Sequence, residues 1–193
     1  MSIETDLTEA SLAKANLHGA ILFKANLIDA DLTEAKLMEA NLLEANLTNT
    51  NLTGVKMHQA DLSKIQLTNA ILSGADLTAI KLNGASLIKA KLKDADLNSA
   101  KLTGVKMVNV DLDKAMLMLA DLNGVDLTKA NIRLAYLKNT ELNGAKLNDT
   151  ALTGATLTNA KLVDAELFNA NLPEAILSQA DLSQAKLIEA NSI

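Results

Sequence analysis

Residues 95–119 read ADLNS AKLTG VKMVN VDLDK AMLML: five units of five, each centred on leucine or methionine, with alanine or valine two residues before the centre. Following that register outward, every fifth position from 7 to 187 is leucine in 34 of 37 cases, and Met57, Met107 and Ile132 fill the others. Two residues before each centre, from 5 to 190, alanine occupies 28 of 38 positions, and Thr, Val or Ile the rest. Nothing interrupts the register. The sequence therefore predicts one repeat domain over 1–193, with repeats from about 5 to 191 and no internal boundary.

Leucine and alanine are good helix formers, but a period of five is wrong for a helix. Five residues advance about 500°, so successive leucines would stand roughly 140° apart and ring the helix. A straight strand fails as well, because side chains alternate faces and five is odd. The chain must turn once per repeat, with alanine and leucine facing inward. All eight glycines, Gly19 to Gly154, fall two residues after a centre. A type II turn needs positive φ at its third residue, which glycine supplies freely and asparagine tolerates. Asn49, Asn69, Asn109, Asn139, Asn159 and Asn169 share that slot.

Four right-angled corners would close a coil in 20 residues, placing residue n under n+20. Lys106, Asp126, Lys146, Glu166 and Lys186 would then stack with alternating sign, as would Lys93, Asp113 and Arg133. Opposite charges help at strand spacing. Lys81 under Lys101 runs against the pattern.

Units such as ANLHG, ADLTE, ADLSK and ADLSQ resemble the A(D/N)LXX consensus of the pentapeptide repeat proteins, and the resemblance spans essentially the whole chain. It implies an all-β fold: a right-handed, four-sided parallel β-solenoid of about nine 20-residue coils, roughly 45 Å long at strand spacing. Leucine-centred members of this kind are most like the cyanobacterial proteins of unassigned activity.

Composition narrows the function. The chain is 49% hydrophobic with no cysteine, so thiolate metal sites, disulfides and cysteine nucleophiles are excluded. No apolar run approaches a membrane span, and the N-terminus shows no signal peptide; a cytoplasmic location without membrane contact is expected. Net charge is −5, with eight acids against three lysines in residues 1–50 and balance thereafter. A basic nucleic-acid binder is disfavoured. His18 and His58 share an expected column but lie two coils apart, too far for one zinc. No catalytic group, cofactor or metal site is expected, and the chain reads as non-enzymatic. Thr50, Thr140 and Thr150 face inward, where each hydroxyl is expected to bond a nearby carbonyl.

Outward apolar residues are the informative anomaly. Met116, Met118 and Leu119 should lie beside Leu134 and Tyr136 across two coils, a candidate protein-contact patch. Ile21, Phe23 and Leu43 form a smaller group. The reading is an interaction scaffold with an unidentified protein partner. The alternative is a DNA-mimic modulator of gyrase or another nucleic-acid-binding protein, the mode of the quinolone-resistance members this repeat type resembles. Their logic needs dense negative charge, which residues 51–193 lack. Solenoid ends also need cover. The short segments MSIET and NSI suggest that a second copy of the chain, in a homodimer, or a further domain covers one end, with the C-terminal leucines Leu177, Leu182 and Leu187 favoured, or else that residues 1–5 fold over the first coil.

Overall fold

The computed structural model describes residues 5–191. Parallel bridges run without a break from Asp6↔Asn26 to Asn171↔Asn191, each joining residues 20 apart. That is the register expected from the sequence. Every bridge falls on the second residue of a repeat, one before its centre, called i−1 here with the centre as i.

The hydrogen bonds explain why the unit is five residues long. In repeat 95–99, Asp96 N–H donates to Ala75 O of the coil before (2.9 Å), while Leu97 and Ser99 donate to Met116 O and Met118 O of the coil after (2.7 and 2.9 Å). Ala95 N–H closes the turn onto Leu92 O at 3.0 Å. One donor is left over, the N–H of Asn98 at i+1, and the Asp96 carboxylate takes it at 2.9 Å. A backbone donor must find a partner in protein or water. The Asp or Asn of the repeat is therefore a cap for the one N–H that the solenoid ladder does not use. The chain's single proline, Pro173, sits at i+1, the position whose N–H the ladder can lose. Where i−1 is neither Asp nor Asn, an asparagine at i+1 of the preceding coil can substitute. Asn98, Asn123, Asn143 and Asn148 accept from Met118, Asn143, Val163 and Phe168 in this way.

The corners carry positive φ at i+2 throughout, 63–70° at the eight glycines. Since i+2 alone is positive and the centre's carbonyl accepts from the next repeat's first N–H, the turn has the signs of type II. The slot accepts far more than glycine and asparagine. Glu, Lys, Asp, Gln and even Leu119 and Leu134 hold φ of 54–61° in the same slot. What the slot excludes is β-branching; no Val, Ile or Thr occupies it anywhere from 9 to 189. Branching at Cβ makes positive φ costlier still.

Inside, the central residues from Leu22 to Leu172 form one continuous core. Full burial of each leucine contributes roughly 1.5–3 kcal/mol. The inward threonines behave as expected: Thr50, Thr140 and Thr150 donate to Leu27 O, Leu117 O and Leu127 O at 2.7, 2.9 and 3.1 Å. The charge columns close only in places. Glu166–Lys186 and Lys93–Asp113 meet at 3.3 and 3.5 Å. Lys81, stacked on Lys101, turns away to Asp61 at 4.0 Å.

The capping carboxylates set an acid limit. Hydrogen bonds from the Thr33 hydroxyl and N–H hold Asp31 below the ordinary aspartate range, and Thr8 and Ser183 do the same for Asp6 and Asp181. At Asp61 the Ser63 hydroxyl leads, against a smaller push upward from burial. A carboxyl depressed in the fold stabilises it above its unfolded pKa, near 4, and loses that contribution as pH falls through the folded value. The melting temperature should therefore drop below about pH 4. Asparagine caps without titrating, as Asn46 does for Thr48. A triple Asp31→Asn, Asp61→Asn, Asp181→Asn variant should show a shallower acid decline. An unchanged decline would place the acid sensitivity elsewhere.

Candidate interaction surfaces

The five expected contact residues share one side of the solenoid but flank two of its corners: Leu134 and Tyr136 stand at one turn, Met118 and Leu119 at the next. Met116 bridges to Tyr136 directly, and Leu134 precedes Tyr136 at the turn. Leu119, Leu134 and Tyr136 are 63%, 44% and 52% exposed, Met118 is exposed, and Met116 is half-buried. An open cavity of about 440 Å³ is lined by Asp94, Lys114, Met116, Leu134, Tyr136, Gly154 and Thr156. Three of the five thus line one hollow; Met118 and Leu119 are not part of its wall.

These residues place large apolar side chains in slots that are polar in most repeats. Met116 and Tyr136 stand at i−1 and offer no capping oxygen. Leu119 and Leu134 hold φ 61° and 57°, the left-handed backbone that every i+2 residue shares, but with a large apolar side chain on it. Apart from Ala79, no other apolar side chain sits in that slot among the described residues. Departures of this kind gather where function competes with folding.

The sequence reading missed Ile176, 49% exposed and joined to this side through the bridge Thr156↔Ile176. The departure from Asp or Asn at i−1 was the signal that could have found it. The smaller group is uneven: Ile21 is 81% exposed, whereas Phe23 and Leu43 are half-buried and Lys24 Nζ stands 5.4 Å from the Phe23 ring centre.

At the C-terminal edge Leu177 and Leu182 are half-buried and Leu187 is 42% exposed, in contrast to the buried centres before them. Leu7, Leu12 and Leu17 are half-buried at the other edge. The expected fold-over of residues 1–5 concerns a segment of which 1–4 lie outside the described residues. His18 and His58 face different acids, Glu39 at 3.9 Å and Asp76 at 3.2 Å. Burial pushes the Asp76 carboxyl up, but hydrogen bonds from Thr78 and His58 outweigh it and hold the group below its ordinary value. Among the described residues no three His, Cys, Asp or Glu gather as a metal site, and no helix is long and apolar enough to cross a membrane.

A family model for pentapeptide repeats matches residues 3–38, 32–69, 60–98, 95–133, 135–173 and 165–191. The fold is similar to HetL, a pentapeptide repeat protein involved in heterocyst differentiation regulation from the cyanobacterium Nostoc sp. strain PCC 7120. The two are 31% identical over 97% of this chain and 89% of HetL, with a TM-score of 0.55. It is also similar to QnrB1, a plasmid-mediated fluoroquinolone resistance protein, at 20% identity, 75% of each chain and a TM-score of 0.59. No curated protein sequence matches.

Proposed function

The chain belongs to the pentapeptide repeat family, whose members are right-handed β-helix solenoids, and we propose that it is a non-enzymatic scaffold that binds another protein along its side. On this reading it is one uninterrupted four-sided domain of about nine coils, a rod roughly 45 Å long, in the cytoplasm. The observation that carries the proposal is the apolar surface of Met116, Leu134 and Tyr136, with Leu119 exposed at the next corner of the same side. There the chain exposes large apolar side chains in slots that are polar in most repeats. The likeness to HetL, a protein involved in regulating differentiation, supports a contact role of this kind.

A photo-crosslinking amino acid at position 136 should trap a protein partner in the source cells, while the same group at Thr103, on another face, should not. Equal trapping at both positions, or none, would sink the reading. The DNA-mimic alternative predicts inhibition of gyrase supercoiling at low micromolar protein, but the balanced charge of residues 51–193 weighs against it.

Self-association through the C-terminal end is part of the same proposal, supported by the exposure of Leu187 beside Leu177 and Leu182. Light scattering should give the mass of two chains, reduced to one by Leu187→Lys. A monomer at high concentration, indifferent to that substitution, would remove the end from the proposal.

A further inference from the structure

Met116 begins a stripe. Bridges carry the i−1 column from Met116 to Tyr136, Thr156 and Ile176. At strand spacing the four side chains span roughly 14 Å along the rod. None of them has a carboxylate or amide oxygen to cap the N–H two residues on, and Asn98 replaces the cap only for Met118. Four successive coils on one side therefore forgo the repeat's own hydrogen bond.

Beside the stripe the missing side chain of Gly154 makes room for Leu134. Leu134 leans over Gly154 so closely that a Cβ there would meet Leu134 Cδ2 at 2.7 Å. Next to it lies an open trough with Met116, Leu134 and Tyr136 as its apolar wall and Asp94, Lys114 and Thr156 as its polar one.

The charges around the trough have one sign at its middle. The central rung reads Arg133-Leu134-Ala135-Tyr136-Leu137-Lys138, with an exposed cation on each flank and no acid. Neither cation forms an ion pair among the described residues, nor does Lys114 on the neighbouring rung, where Asp113 is taken by Lys93 at 3.5 Å. Asp94 and Glu174 mark the two ends of the stripe and leave its centre basic.

Resting on the scaffold reading above, we infer that this stripe is a docking site for an apolar segment of a different protein that carries acidic residues on both flanks. Apolar side chains enter the trough between Leu134 and Tyr136, and the flanking carboxylates meet Arg133 and Lys138. A second copy of this chain fits less well. A stable dimer buries about 800 Å² per partner, and a stripe roughly 14 Å long and one or two side chains wide falls well short.

Panning a random peptide library on the full chain tests this. Selected peptides should combine two or more large apolar residues with net negative charge, and salt should weaken their binding. Tyr136→Asn should weaken the strongest peptide about tenfold or more. The same variant should melt no lower than the parent, because asparagine at i−1 restores a cap for Lys138 N–H. Arg133→Glu combined with Lys138→Glu should weaken binding with the fold intact. Basic or uncharged peptides, or binding unaffected by Tyr136→Asn, would overturn the acidic-segment site yet leave a scaffold that binds on another face. A library yielding no binder to any face would count against both.

Discussion

Replacing Leu117 with aspartate should break the solenoid at its middle, and Leu117→Ala should weaken it by about 2–5 kcal/mol. Leu117 is fully buried, and Leu97 and Leu137, the centres one coil before and after, are as well. Its carbonyl accepts from both Ala120 N–H at 3.1 Å and the Thr140 hydroxyl at 2.9 Å. The site is thus pinned by backbone and cannot collapse easily around a smaller side chain. An unpaired carboxylate in this column has no partner, and burying it costs several kcal/mol more. Because each coil touches only its neighbours, the damage should be local. Limited proteolysis of Leu117→Asp should cut near residues 115–119 while both flanking blocks stay resistant. An aspartate variant that melts like the parent would mean that Leu117 does not face the core.

Gly104→Val should be the second largest effect, about 1–3 kcal/mol. Gly104 holds φ +69°, and nothing lies within 4 Å of where its Cβ would stand. The cost is therefore backbone strain in a β-branched residue and not collision. Two controls separate these causes. Gly104→Lys should be mild, since Lys14, Lys64 and Lys129 already hold φ 61° in this slot. Thr103→Val, one residue earlier, loses only an exposed hydroxyl bond to Asp121 at 2.9 Å. Equal melting of all three variants would show that the corner does not select against branching.

The leucine register, the 20-residue stacking, the positive φ at the corner and the inward threonine bonds were all legible in the sequence, because each follows from steric fit of a repeated unit. The charge columns were legible only as positions. Lys106, Asp126 and Lys146 stack in order, yet no pair among them closes to ion-pair distance among the described residues. Exposed long side chains gain only about 0–1 kcal/mol by pairing, so sequence order does not fix where they point. The meaning of Asp and Asn at i−1 was hidden for a different reason. It depends on which N–H the ladder leaves over, which only the assembled coil reveals. Without that, Tyr136 was marked as an exposed apolar residue while Ile176, in the same i−1 column, was missed.

The ladder also gives the rod a direction. In each repeat the N–H groups at i and i+2 point toward the C-terminal end, and only the one at i−1 points back. One peptide dipole per repeat, about 3.5 D, is therefore left uncancelled along the axis. Summed over the repeats, the C-terminal edge is positive and rich in donors, and the N-terminal edge is negative and rich in carbonyls. The sense is opposite to that of an α-helix, and the excess acids of residues 1–50 reinforce it. Whatever covers the C-terminal edge must bring acceptors in excess, as the N-terminal edge of a second rod would. Two rods meeting tail to tail would set donors against donors, so Leu177, Leu182 and Leu187 would have to hold such a pair together against the field of their own backbones.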